Sequence, residues 1–206
     1  MQLFEEKTAV KWTGITFHKD RPAVSYPQPE QPVSFCQAVA KGREHGWTLT
    51  PACIGCEGAR RCFGWRKGKD ESFASNLADK TGLVVSTAYQ IVQQVPQLPE
   101  DITAISVGGN LKPDGLIAYV EPIVVMRLIR LLQTVSGKNI SVDLSSIMAV
   151  CGNVAIKSFL MDSIALSFGC PDSREQGGIG TNQLVVGIPY RLMQALLDLL
   201  CERSKK

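Results

Sequence analysis

Apolar and polar residues alternate through Gly14-Ile15-Thr16-Phe17-His18, which predicts a short strand, and four prolines between Pro22 and Pro32 predict an extended connection. Ser34 then offers an N-cap for a helix over Phe35 to Arg43 that carries Cys36 in its first turn and stops near Gly46. Residues 51–70, with three cysteines and four glycines, read as irregular. Beyond residue 80 the pattern changes to strand-then-helix units. Leu83-Val84-Val85 leads into Thr87 to Gln94, Leu116 to Val120 into Pro122 to Val135, and Leu184-Val185-Val186 into Pro189 to Arg203. Proline suits the first position of the last two helices, because the N–H it lacks has no partner there. Leu192, Leu196, Leu199 and Leu200 fall on one stripe of the last helix.

The units resemble one another. Leu83-Val84-Val85-x3-Tyr89 is similar to Leu184-Val185-Val186-x3-Tyr190, and Cys36-Gln37-Ala38-Val39-Ala40 to Cys151-Gly152-Asn153-Val154-Ala155. Cys56-x3-Arg60 is similar to Cys170-x3-Arg174, and the spacings Cys36-x19-Cys56 and Cys151-x18-Cys170 nearly match. Two diverged halves, about 10–98 and 102–203, follow. The expected fold is α+β or α/β, two similar halves forming one compact unit around a cleft.

The order of several landmarks also resembles a family. Phe35-Cys36-Gln37-Ala38-Val39, Cys56-x-Gly58-Ala59, Met126-Arg127-Leu128-Ile129, Cys151, Cys170-Pro171-x-Ser173-Arg174 and Val185-Val186-Gly187-Ile188-Pro189 are similar to the landmarks of the uncharacterised family called domain of unknown function 169. The resemblance runs from about Gly14 to Leu200 and implies no particular reaction. Cys53 and Cys62 stand outside the usual pattern, which leaves two candidate ligand sets: a local one, and the duplicated one of Cys36, Cys56, Cys151 and Cys170.

Composition narrows the class. The 206 residues are 45% hydrophobic, and the most apolar stretch, Pro122 to Val135, is interrupted by Arg127 and Arg130, short of the roughly 20 apolar residues a membrane span needs. The acidic start, with Glu5 and Glu6, does not read as a signal peptide, so a cytoplasmic location is expected. Seven cysteines in a reducing compartment point to metal or thiol chemistry rather than disulfides. A net charge of +3 gives little reason to expect nucleic acid.

The sharpest motif is Cys53-Ile54-Gly55-Cys56-Glu57-Gly58-Ala59-Arg60-Arg61-Cys62. A C-x2-C turn lets two thiolates share a metal, and small residues let backbone N–H groups face the sulfurs. Cys36, favoured as a thiolate by its helix N-terminus, would complete a Cys36, Cys53, Cys56 and Cys62 set, with Arg60 and Arg61 offsetting its charge. The single C-x2-C pair in a glycine-rich segment favours an iron-sulfur cluster of the 4Fe-4S type over zinc. Cys151 reads equally as a core thiol or a ligand, Cys170-Pro171 resembles the close of ferredoxin motifs, and Arg174 would mirror Arg60 beside an anionic centre or substrate. Cys201 reads as structural.

His18 and His45 offer no clear base for a thiol nucleophile, and Gly177 to Thr181 and Gly108-Gly109-Asn110 read as turns. The run from Arg60 to Lys69, with Phe63 and Trp65, could hold a nucleic acid, though a loop capping the metal is the better reading. The leading expectation is an iron-sulfur redox protein or redox-enzyme component with a redox or protein partner. The alternatives are a zinc-stabilised binding module and a thiol-dependent enzyme acting on a small molecule in the cleft.

Overall fold

The computed structural model describes residues 1–20, 22, 25–99, 101–108 and 112–203. Gly109 and Asn110 of the expected glycine turn, and Ala23 and Val24 of the proline-rich connection, lie outside the described residues.

Six strands form one sheet: β1 (Thr13–His18), β2 (Trp47–Leu49), β3 (Ala104–Val107), β4 (Gly115–Val120), β5 (Ala165–Ser167) and β6 (Leu184–Pro189). Their order is β2-β3-β1-β4-β6-β5, and every neighbouring pair is antiparallel. The fold is therefore α+β; the α/β option, which needs parallel strands joined by crossovers, does not hold. The order reads the same from either edge when β1, β2 and β3 are exchanged with β4, β5 and β6. The register repeats as well. Ile15 faces Val107, which faces Trp47; likewise Ile117 faces Gly187, which faces Ala165.

Alternation along the strands feeds two cores. Ile15, Ile105, Val107, Ile117 and Val185 point to one face, under α2 (Phe35–His45), α3 (Glu57–Cys62), α4 (Asp70–Thr81) and α5 (Val85–Gln94). A π-helical segment, Cys151–Ile156, packs on the same face and runs on into α7 (Lys157–Met161). Leu116, Ala118, Val120, Val186 and Ile188 point to the other face, under α1 (Gln2–Thr8), α6 (Pro122–Ser136) and α9 (Tyr190–Arg203). The last helix of this list in space, α8 (Pro171–Gln176), packs against α2.

Three local expectations are corrected. Residues 51–70 are irregular only in part: a 3-10 turn at Pro51–Cys53 and the helix α3 interrupt them, Gly58 letting α3 lie close against Met148 and Phe73. Leu83 to Val85 is not a strand. Val84 caps α5 and is 70% exposed, with no sheet edge beside it. Pro189 ends β6 rather than opening α9, since its carbonyl-side neighbour Tyr190 already bonds back to Asp114 in the turn before β4.

Candidate functional site

The Ser34 capping box fixes the start of α2: its hydroxyl accepts the Gln37 N–H at 3.3 Å, and the Gln37 amide oxygen accepts the Ser34 N–H at 2.9 Å. Cys36 is thereby held in the first turn of an eleven-residue helix, with its Sγ 3.0 Å from Ser34 Oγ. Cys56 is the N-cap of α3, where the Ala59 and Gly58 N–H groups of the first turn favour its thiolate against burial. Cys170 is the N-cap of α8; its sulfur accepts the Ser173 N–H while Ser173 Oγ accepts the Cys170 N–H at 2.7 Å. Cys151 opens the π-helical segment with Cys62 behind it, a neighbour that raises its pKa.

These four cysteines line one cavity of about 670 Å³. Its other walls come from the start of α2, the start of α3, one stripe of α4, the loop before Cys151, and α8. Two contacts lock the walls. Gly177, at the end of α8, lies so close to α2 that a Cβ there would stand 2.9 Å from the Cys36 Cβ. Tyr119 of β4 donates its hydroxyl to the Cys36 carbonyl at 3.3 Å, and burial raises its pKa.

The sulfurs are close enough to resist one another's ionisation. Burial pushes the Cys36 thiol up to about 12, against the Ser34 hydrogen bond, with charges on Cys170, Cys151 and Cys56 adding to the rise. Burial pushes Cys56 up to about 11, with Cys151 and Cys170 adding and the Ala59 and Gly58 N–H groups opposing. Cys151 is raised by its hydrogen bond to Cys62, then by burial. Without a cation these three thiols are protonated at neutral pH; a metal would reverse that balance and release their protons. All seven cysteines are free, and among the described residues no three His, Cys, Asp or Glu side chains are arranged around a single ion.

The other expected site residues sit elsewhere. Cys53 turns to Thr50 and Gln28, at 3.3 and 3.4 Å, away from the cavity lining. Cys62 is fully buried behind Cys151, 3.7 Å from the Met148 sulfur. Arg60 is exposed, and Arg174 spends its guanidinium on the Gly180 and Gln183 carbonyls, at 2.7 and 3.1 Å, bracing the turn before β6. Arg61 is buried in a two-pronged pair with Asp70. Phe63 and Trp65 pack with Phe35 in the core, so neither is free to stack on a base. His18 bonds Ser106 on the opposite side of the sheet from Ile15, and His45 is exposed.

What sequence reasoning passed over is α4, whose Phe73, Asn76, Leu77, Lys80 and Thr81 form one wall. The i, i+3, i+4, i+7 spacing of those positions was the available signal. Met148, with φ of 46°, also lines the cavity and turns the chain just ahead of Cys151.

A thiol-lined α+β protein of this topology has a family. The chain matches the DUF169 family, described as uncharacterised ArCR, over residues 8–198, and it belongs to that family. It is also similar to the "Uncharacterized protein MJ0308" of Methanocaldococcus jannaschii, 23% identical over 115 residues, a match covering 54% of this chain and 49% of that one. The chain thus spans about half the length of that curated relative. No solved structure matches it. No helix among the described residues is long and apolar enough to cross a membrane.

Proposed function

We propose that the protein carries a cysteine-ligated metal centre, an iron-sulfur cluster of the 4Fe-4S type, held by Cys36, Cys56, Cys151 and Cys170, and that it serves as a redox protein or redox-enzyme component. The observation that carries this reading is the convergence of four thiols, from four separate segments, on one cavity. Polar groups sit beside three of the four sulfurs: Ser34 Oγ 3.0 Å from that of Cys36, the first-turn N–H groups of α3 at Cys56, and the Ser173 N–H at Cys170. Donors aimed at sulfur stabilise thiolates and tune cluster potentials. A lone zinc would need its four sulfurs about 3.8 Å apart, from Zn–S bonds of about 2.3 Å in a tetrahedron. The wide cavity favours the larger cluster.

Thiol catalysis is the weaker reading, because Cys36 and Cys56 are pushed up to about 12 and about 11, and no histidine is among the cavity's described lining residues. The ligand set is the duplicated one, two cysteines from each of two diverged halves. Its support is the repeated strand register and the repeated placement, a helix-borne cysteine before an edge strand and an N-cap cysteine after it. Arg60 and Arg174 then act outside the cavity, and backbone N–H groups do the charge balancing expected of them.

Anaerobic purification tests the proposal. Brown protein with a broad visible band and about four iron and four sulfide per chain is expected; colourless protein with one zinc would overturn it.

A further inference from the structure

A cavity of about 670 Å³ is larger than four ligating sulfurs require and falls within the range, about 300–1,000 Å³, of small-molecule sites. The α4 wall has the make-up of such a site. Phe73 lies beside the sulfurs: a Cβ on Gly58, two residues after Cys56, would stand 3.6 Å from its ring and 3.1 Å from the Met148 side chain. Leu77 continues the apolar surface one turn along the same stripe. Lys80 follows, seven residues from Phe73 and so about 10 Å further along the helix axis at about 1.5 Å per residue. Asn76 flanks the stripe.

The charges on the lining are few. Glu57 is paired with Arg66 at 3.1 Å, and that guanidinium also lies over the Phe73 ring. Among the described residues the Lys80 side chain has no ion-pair or hydrogen-bond partner, and it is the one base among the described lining residues. Asp172, on α8, also has no ion-pair partner among the described residues and repels an anion placed on its own side of the cavity.

We propose that the α4 wall binds a small organic anion about 10 Å long, with its carboxylate at Lys80 and Asn76, its apolar body on Leu77, Phe73 and Met148, and its far end at the Cys56 and Cys170 sulfurs. The site gives the metal centre or its thiols a substrate to act on. It needs the thiol-lined cavity of the preceding reading, but it does not need the metal.

The experiment uses full-length, chelator-treated protein, so its result stands apart from the metal assignment. Cysteine alkylation by maleimidohexanoate, a thiol reagent with a carboxylate tail of matching length, is compared with alkylation by neutral N-ethylmaleimide, each cysteine being followed by peptide mass spectrometry. At Cys56 and Cys170, the two partly exposed cavity sulfurs, the carboxylate reagent is expected to react roughly fivefold faster and with saturation, the scale of one partly exposed ion pair. Lys80→Gln should remove that advantage while leaving the N-ethylmaleimide rate unchanged, and Lys67→Gln, on a loop outside the cavity, should keep it. Equal rates for the two reagents in the native chain, or an advantage that survives Lys80→Gln, overturns the proposal.

Discussion

Cys56 and Cys170 hold the same post in two different helices: each is the N-cap of a six-residue α-helix, the Cys170 sulfur accepting the Ser173 N–H and the Cys56 thiolate favoured by the Ala59 and Gly58 N–H groups. Serine, threonine or aspartate normally does this work with oxygen. Placing cysteine there couples local folding to the cavity, since the atom that caps the helix is also the atom offered to a ligand.

The first prediction separates the two candidate ligand sets. Cys151→Ser and Cys170→Ser should each lose bound metal along with Cys36→Ser and Cys56→Ser, whereas Cys53→Ser and Cys201→Ser should retain it. Metal content per chain, measured on anaerobically purified variants, checks this; loss of metal in Cys53→Ser with retention in Cys170→Ser would favour the local set.

Alkaline pH should weaken the metal-free protein. Cys36 and Cys56 are held at about 12 and about 11, against 9.0 for an unperturbed thiol. Their folded pKa values are raised, so their contribution is complete below pH 9 and is lost as pH rises toward 11 and 12, where the unfolded chain has already given up protons that the folded chain keeps. Urea melts at pH 8 and pH 10 should differ by on the order of 2–3 kcal/mol, about 1.3 kcal/mol from each of the two groups over that interval. The double variant Cys36→Ser, Cys56→Ser should flatten the dependence.

Adjacent arginines should behave very differently. Arg61 is 4% exposed, bonded through two nitrogens to Asp70 and through a third to the Val95 carbonyl at 3.2 Å, joining α3 to α4 and the end of α5. Arg61→Ala should cost about 3–5 kcal/mol by stranding a partly buried carboxylate and a carbonyl. Arg60→Ala, on the exposed side of the same helix, should stay within about 0.5 kcal/mol. Chemical denaturation of both variants makes the comparison.

Gly152→Ala tests how tightly the π-helical segment is seated. A Cβ there would overlap Val95 and stand 2.9 Å from the Cys62 sulfur. Both neighbours are buried, so neither can swing away. A loss of about 1–3 kcal/mol is expected, read as a lower melting temperature, together with weakened metal retention because Cys151 is the adjoining residue.

Much of the frame was legible in the chain. Ser34 announced α2, Pro122 announced α6, and the alternation in Gly14 to His18 announced β1, because each signal is local and backbone chemistry answers it directly. The cavity was legible only in part. Cys151 and Cys170 were noticed through repeated spacing, yet C-x2-C proximity drew attention to Cys53, whose sulfur the 3-10 turn at Pro51–Cys53 carries toward Gln28 instead. Nearness in sequence does not decide which way a side chain faces once a tight turn intervenes. Lys80 and the α4 wall went unseen because their spacing marks only a helical stripe, while their part in the cavity is created by packing near α3 and the Met148 loop, a long-range event. Leu83-Val84-Val85 misled for the opposite reason: β-branched residues favour strands, but that preference needs a neighbouring strand to act on, and none lies there.

The pairing of β1 with β4 lies at the middle of the sheet, and only there do residues 13–18 meet residues 115–120. A chain of half the length, ending after its third strand, would keep a three-stranded sheet, one bare inner edge and two of the four thiols. Two such chains joined along that edge would rebuild the six-stranded order and bring four cavity cysteines together. Under the proposed duplication the central ladder corresponds to a fused subunit interface, and the four-cysteine cavity to one that a half-length ancestor would have lined only as a dimer.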